Sequence, residues 1–430
     1  MHKKLYKKAL KLIPSGTMLF SKKPELYLPD NWPTYYTKCK GLNIWDLKKR
    51  KLKDLYYGVG QNILGYGNQT VDRQVIKACK NGNMSSLNCV EEVKLAEKLV
   101  ELHPWASMVK FARTGGEINS IAIRVARAAT GNDKIAICGY HGWHDWYLAA
   151  NIKDKSNLNQ HILKGLDPLG VNKSLKDTVF PFTYNNFDQL KEIVNKKKIG
   201  TIMMEVQRDQ KPKNDFLKKV RNLCTKNNIV LIFDECTSGF RQSFGGLHKV
   251  YNVEPDMVVF GKALGNGYAI TALLGKKKVM EVAQKTFISS TFFTERIGYA
   301  ASLATLSEMK RTKSWEIISK NGNYVKKMWK EISTHNKIDL DISGIDALPI
   351  FKFKNKNLEY KTLMTQEMLK KKYLVSNVIF MSILHDKKVI NQYIEQLNYV
   401  FKMIKKCEEG EPINNFLKNE VCYSPFERLN

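Results

Sequence analysis

Between about residue 70 and residue 300, short apolar runs alternate with helical segments, and the runs end on groups that a buried strand does not ordinarily tolerate. In "IVLIFDECTSGFR" (229–241) five apolar residues, Ile229 to Phe233, lead straight into Asp234 and Glu235. In "PDMVVFGKALGNGYAITALLG" (255–275) another run ends on Lys262 among glycines. "IGTIMMEV" ends at Glu205, and "KIAICGYHGWHDWY" runs from Ile135 to Cys138 into an aromatic loop that opens at Tyr140. "MVKFARTGGEINSIAIRVARAATG" reads as a strand, a tight turn at Gly115–Gly116, and a helix from about Glu117 to Ala129 closed by Gly131. Strands that alternate with helices predict a mostly parallel sheet with helices on both faces. Such sheets bind ligands at the carboxyl ends of their strands, where Gly115–Gly116, Tyr140, Asp234 and Lys262 fall.

Outside this region the pattern changes. "GLNIWDL" (41–47) alternates like a half-buried strand, and "EEVKLAEKLVEL" places Val93, Leu95, Leu99 and Leu102 near helical spacing. After about residue 310, helical segments ("SWEIISKNGNYVKKMWKEIS", "INQYIEQLNYVFKMIKK") flank short strands ("LPIFKFK", "YLVSNVIFMSIL"). The expected organisation is a large domain over 66–310 and a smaller α+β domain built from 1–65 and 311–406. A weakly patterned, partly disordered tail is expected over 407–430. Leu5, Leu10 and Leu12 fit a short amphipathic N-terminal helix stopped by Pro14, with membrane-surface attachment as its minor reading.

The formal net charge of +29 admits a nucleic-acid partner or acidic small molecules. The lysines are dispersed ("KKRKLKD", "VNKKKIG", "LGKKKVM") instead of lining one helix with interleaved aromatics, so no nucleic-acid partner is expected. No apolar run reaches the roughly 18–20 residues of a spanning helix, and no membrane partner is expected. Eight scattered cysteines without a C-x-x-C pair suit free thiols in the cytoplasm better than a disulfide frame or a zinc site. His141 and His144 have metal-like spacing but no third ligand in view, so no metal is expected.

The chemistry lies in the ordered set at the strand ends. Backbone N–H groups at "RTGGE", with the dipole of the following helix, suit a phosphate. Tyr140 is placed to stack on a flat ring, with His141 in the same turn and His144 structural. A carboxylate at the end of a buried run is unfavourable unless paired, and a pyridinium nitrogen would pair Asp234. Glu235 is the alternative pairing residue, or caps a turn. A lysine desolvated in a pocket becomes a nucleophilic amine, which describes Lys262. Phosphate turn, stacking aromatic, acid and lysine together describe pyridoxal 5′-phosphate (PLP).

These motifs resemble the class III, fold-type I PLP-dependent aminotransferases, and within them the glutamate-1-semialdehyde 2,1-aminomutase group. "TGGEINSIAIRVAR", "GYHGWHD", "LIFDECTSGFR", "FGKALGNGYAITALLG" and "SSTFFTERIGYAASLATL" carry the likeness, which runs from "IPSG" to about residue 405. The resemblance implies a seven-stranded-type sheet in the large domain. It implies that Lys262 bonds the cofactor's aldehyde, Asp234 pairs with the ring nitrogen, and Tyr140 and Cys236 cover the two ring faces. Gly115 and Gly116 would hold the phosphate, with Thr291 reaching it from the neighbouring subunit of a homodimer. Glu205 stands where the family has a strand-end acid. Arg241 is read either as a substrate contact or as a surface or structural salt bridge.

The family departs from this chain at two places. "IPSGTMLFSKKPELYLP" lacks the arginine that the aminomutase group carries near its proline-glycine-glycine segment, and "YLVSNVIFMSIL" lacks that group's acid. The expected reaction is transfer of an amino group from an amino-acid donor, glutamate by preference, to a carbonyl acceptor. A sugar-like or anionic acceptor suits "DNWPTYY" and the positive charge; a small keto acid or semialdehyde, and the aminomutase itself, are the alternatives. A decarboxylase or racemase on the same fold, a non-catalytic PLP-fold protein and a nucleic-acid binder are the readings from other classes.

Overall fold

The computed structural model describes residues 1–159, 161 and 164–423, and among them two compact units form. One takes Gln69–Trp315; the other takes Met1–Asn68 with the chain from Glu316 onward.

The first unit is organised by a seven-stranded sheet. Its strands are β1 (Met108–Ala112), β2 (Ile135–Cys138), β3 (Val179–Pro181), β4 (Thr201–Glu205), β5 (Val230–Glu235), β6 (Met257–Phe260) and β7 (Thr271–Gly275). The order across the sheet is β1-β7-β6-β5-β4-β2-β3. Only β7 runs antiparallel to its neighbours, β1 and β6. Strands β2 and β4 to β7 are buried at every residue, while the edge strands β1 and β3 are partly exposed. Burial on both faces is why the inner strands read as unbroken apolar runs. The register then lines up the polar strand ends. Glu205 lies opposite Asp234, Glu235 opposite Phe260, and Met204 opposite Cys138.

The helix after β1 spans Gly115–Thr130, two residues earlier than its apolar periodicity suggests. Glu117 reaches back and accepts from the N–H groups of Thr114 at 3.1 Å and Arg113 at 2.8 Å, which satisfies donors the helix leaves orphaned. Gly131 closes it at φ 62. Ile118, Ile121, Ala122 and Val125 form its buried face in the main core. Helix Val90–Leu102 buries Leu95 and Leu99 as spaced, but Val93 points to solvent because those two leucines set the buried face.

Two features brace the polar edge. Gly142 sits at φ 112, where a Cβ would stand 2.7 Å from the Cα of Gly116, so the aromatic loop and the glycine turn touch backbone to backbone. Glu235 faces away from that edge and is fully buried. It accepts from the backbone N–H of Leu247 (2.5 Å) and His248 (3.0 Å), from Ser238 Oγ (2.9 Å) and from His248 Nδ1 (2.6 Å). It therefore caps a turn and does not pair with a ring nitrogen.

In the second unit, Tyr36–Lys40, Asn43–Asp46, Lys51–Asp54 and Tyr373–Leu374 form a four-stranded sheet, and Leu340–Ser343 pairs with Ile350–Phe353. Helices Asn357–Lys370 and Lys387–Glu408 pack around a core of Trp329, Phe351, Tyr393 and Phe401. The expected strand "YLVSNVIFMSIL" is regular only at Tyr373–Leu374. Beyond it the backbone donates in turn to Pro349, Leu55, Ala347 and Ile63, so no single ladder forms. The N-terminal helix is His2–Leu12, but its buried residues are His2, Tyr6 and Ala9, with Leu5, Leu10 and Leu12 outside. The tail expected to be partly disordered packs as far as it is described. Cys422 is buried and its N–H donates to Thr362 Oγ1 at 2.9 Å; residues 424–430 lie outside the described residues. Among the described residues, no helix is long and apolar enough to cross a membrane.

Substituting Gly142→Ala should lower stability by roughly 2 kcal/mol or more, because φ 112 and the Gly116 contact both oppose a Cβ. Denaturant unfolding would check it. Glu235→Gln should cost roughly 3–5 kcal/mol near neutral pH. Burial alone raises this carboxyl's pKa, but the His248 and Leu247 donors outweigh it, and the net direction is down. A depressed folded pKa stabilises above the unfolded value and is lost below it. The difference between wild type and variant should therefore shrink as pH falls below about 4.3.

Candidate active site

Asp234, the last residue but one of β5, is 4% exposed, with its carboxylate inside the protein. Oδ2 accepts from Asn119 Nδ2 and from His141 Nδ1, each at 2.8 Å, and Oδ1 accepts from the backbone N–H of Cys236 at 3.0 Å. Burial by itself pushes the carboxyl pKa up; His141, Cys236 and Asn119 more than reverse this, and the group is held below the ordinary carboxylate range. The contact with an acceptor-only carboxylate places the proton of His141 on Nδ1. His141 is buried, lies nearly parallel to Trp146, and serves as a support behind Asp234. Asn119 also donates to the carbonyl of His141 at 3.0 Å, tying the helix, the aromatic loop and β5 together.

Lys262 follows β6 and is itself at φ 37, in the left-handed region that favours glycine, which marks a local backbone strain at this position. Its Nζ donates to Thr237 Oγ1 at 2.7 Å. Burial lowers the ammonium pKa to about 8, and the guanidinium of Arg208 adds to the effect. Arg208 Nη2 donates to the same Thr237 Oγ1 at 3.1 Å, and Arg208 forms a two-pronged ion pair with Glu205, with Nε to Oε2 at 2.9 Å. The Cys236 sulfur lies beside Gly115 and Gly261, where added Cβ atoms would stand 3.7 and 3.2 Å from it.

Gly115 and Gly116 occupy the first two positions of a 16-residue helix, whose opening N–H groups have no intrahelical partner. A Cβ on Gly116 would touch His144 and Trp143, and His144 bonds Ser120, so His144 shapes the turn as expected. Tyr140 is half-buried and meets Tyr147 edge-on at 5.9 Å between ring centres. Thr291 is exposed on the turn Thr291–Thr294 beside exposed Phe292. Arg113, just before the glycine turn, grips that segment through the carbonyls of Phe292 (2.6 Å), Phe293 (2.9 Å) and Glu295 (2.7 Å). Arg241 is neither at the surface nor facing open space: it is fully buried, with Nε on the carbonyl of Thr237 at 2.6 Å.

The strand ends thus bring together two hydrogen-bonded groups, Asp234 with His141, Asn119 and the Cys236 N–H, and Lys262 with Thr237, Arg208 and Glu205, which adjoin along the chain at Cys236–Thr237, with the glycine turn beside the Cys236 sulfur. Sequence reasoning did not single out Asn119, Arg208 or Thr237. Asn119 carried a signal, as a polar residue among the apolar positions of its helix; Arg208 and Thr237 sit in irregular segments and carried none.

The expected cofactor fits these residues. The two opening N–H groups of a long helix suit its phosphate. The charged Asp234 retains an acceptor position on Oδ1 for a protonated ring nitrogen. An amine of lowered pKa stands nearby for the aldehyde. Among the described residues, no cluster of three or more His, Cys, Asp or Glu side chains is arranged to hold a metal ion.

The chain is 32% identical over 414 residues to a 3-aminobutyryl-CoA aminotransferase of Cloacimonas acidaminovorans, covering 94% of this chain and 95% of that protein. It is 30% identical over 432 residues to a glutamate-1-semialdehyde 2,1-aminomutase of Wigglesworthia glossinidia brevipalpis, covering 94% and 98%. In fold it superposes on the PLP-bound FumI protein of Sphingopyxis sp. MTA144 with a TM-score of 0.86 at 23% identity, over 97% of this chain and 99% of that one. The model of the class-III aminotransferases matches residues 28–372. The chain belongs to the class-III aminotransferase family, as a PLP-dependent enzyme of fold type I.

Proposed function

We propose that this enzyme moves an amino group from an amino-acid donor, with glutamate preferred, to a carbonyl acceptor of sugar-like or anionic character. The observation that carries the reading is the placing, at adjoining strand ends, of a buried charged carboxylate, Asp234, and a partly buried amine, Lys262, whose pKa is lowered to about 8. PLP, when bound, supplies the electron sink for the carbon next to the amine. Asp234 holds the proton at the ring nitrogen and keeps that sink strong. Lys262 Nζ would bond the cofactor's aldehyde carbon at rest and, as a free amine, would carry the proton between the donor's amine-bearing carbon and that aldehyde carbon. Gly115 and Gly116 anchor the phosphate, and Tyr140 and Cys236 close on the two ring faces. In the homodimer we infer, the exposed Thr291 reaches the phosphate of the neighbouring subunit.

Two features support an anionic acceptor. One is the surplus of 70 Lys and Arg over 41 Asp and Glu. The other is the similarity to a protein named for 3-aminobutyryl-CoA, a thioester that carries phosphates. "DNWPTYY" supplies aromatic surface for a sugar-like one. The second reading is the intramolecular aminomutase, favoured by the likeness to the Wigglesworthia protein and opposed by the missing arginine and acid in the two segments noted above.

Adding PLP to the purified protein should give the visible absorption of a lysine-bound cofactor, and Lys262→Ala should abolish it. Glutamate should bleach the band; a bound cofactor that no donor converts would turn the reading to the aminomutase. Asp234→Asn should bind PLP yet turn over on the order of 10²- to 10³-fold more slowly, and unchanged turnover would sink its role. Because the base form of Lys262 is needed, kcat should rise with pH through about 8.

A further inference from the structure

Lys262 and Arg208 are two cations that share one hydroxyl. Thr237 Oγ1 accepts from Lys262 Nζ at 2.7 Å and from Arg208 Nη2 at 3.1 Å. A hydroxyl oxygen has two acceptor lone pairs and one proton to give. With both lone pairs engaged by nitrogens, the Thr237 proton points away from Lys262. The amine is then a donor in this contact, and its own lone pair is left for the reaction. Without Arg208 the hydroxyl would be free to turn and donate into that lone pair. Arg208 is held in place from behind by its two-pronged pair with Glu205, whose strand end is in register with Asp234.

We propose that Glu205, Arg208 and Thr237 form a positioning relay that makes the Lys262 ammonium easier to deprotonate and leaves the amine's lone pair free. The relay rests on the role assigned above to Lys262 and adds to it the residues that prepare the amine. The charged and titratable groups around Nζ are Arg208 from the segment after β4, with Arg241, Asp234 and Cys236 from β5 and the turn that follows. Burial is the main force against the ammonium; Arg208 and, more weakly, Arg241 add to it, while Asp234 favours the charged form and the Cys236 thiol, pushed up by burial, stays neutral. Arg208 is also the one that shares the Thr237 contact. Arg208 and Thr237 are positioning residues: they act through Lys262.

The test uses the cofactor-free full-length protein. Lysines would be labelled with cyanate across a pH series, and the modification of Lys262 followed by peptide mass spectrometry against the surface lysines as internal controls. Wild-type Lys262 should label with a midpoint near 8. Arg208→Met should raise the midpoint and slow labelling near neutral pH about tenfold, which corresponds to one pKa unit, while the surface lysines keep their profiles. Arg208→Lys, which keeps a cation, should hold the midpoint near the wild-type value. Thr237→Val should leave the midpoint unraised but slow the growth of the visible band on PLP addition, with Thr237→Ser restoring it.

An unchanged midpoint in a folded Arg208→Met protein would overturn the relay. So would a Thr237→Val midpoint raised as far as that of Arg208→Met, since local loosening and not charge would then be the cause. If Arg208→Met does not fold, a raised midpoint in Arg208→Lys overturns the proposal and an unraised one in both remaining variants supports it. Failure of the parent reading looks different: wild-type Lys262 labels with its low midpoint, yet PLP gives no visible band.

Discussion

The buried carboxylate of Asp234 is the constraint around which the site is built. A charge at 4% exposure is stable only if donors replace the water it has lost. Three do so, and they come from three separated parts of the chain: Asn119 from the glycine-turn helix, His141 from the aromatic loop, and the Cys236 N–H from the turn after β5. Satisfying this one group therefore fixes the helix, the loop and the strand end relative to one another. The close approach of Gly142 to Gly116 follows from the same convergence, and explains why position 142 lacks a side chain.

The neighbouring acid does the opposite work. Glu235 follows Asp234 directly, but alternation along a strand sends its side chain to the other face. There it meets His248 and the backbone of the Leu247–His248 turn and becomes part of the scaffold. One pair of adjacent acids thus serves two functions because a strand has two faces. On the Lys262 side the protein assembles positive charge. Arg208 and Lys262 meet at Thr237, and Glu205 offsets the guanidinium without reaching the amine through any described contact. The result is a negative pole at Asp234 and an amine that loses its proton easily. A ring with a cationic nitrogen and an electrophilic aldehyde matches those two poles.

Legibility in the sequence varied with the type of feature. Fully buried strands such as Val230–Glu235 and Met257–Phe260 stood out because a strand covered on both faces reads as a continuous apolar run, broken in the first only by its terminal acids. The helix after β1 was legible in its apolar stripe but began earlier than that stripe, since its first turn is held by Glu117 and not by packing. At the N-terminus the leucines suggested the buried face, and the structure buries His2, Tyr6 and Ala9 instead. That choice depends on partners distant in sequence, such as Asp46 and Glu25, which bond His2 and Tyr6. "YLVSNVIFMSIL" was apolar enough for a long strand, yet only Tyr373–Leu374 pairs in a sheet, and beyond it the backbone found four separate partners.

By itself the sequence determined the layered α/β fold and the family, and it singled out Asp234, Lys262 and the Gly115–Gly116 turn as the groups on which the proposed site rests. Each of these is a local violation of what a buried run or a helix start prefers, and such violations are visible one residue at a time. Only the tertiary structure decided which groups serve them. Asn119 and His141 lie 115 and 93 positions from Asp234, and Thr237 lies 25 from Lys262. Their convergence is set by strand order and register, through hydrogen bonds between backbones that are nearly indifferent to side-chain identity. A β5 register shifted by one residue would leave every local pattern intact and turn Asp234 to the opposite face, away from Asn119 and His141.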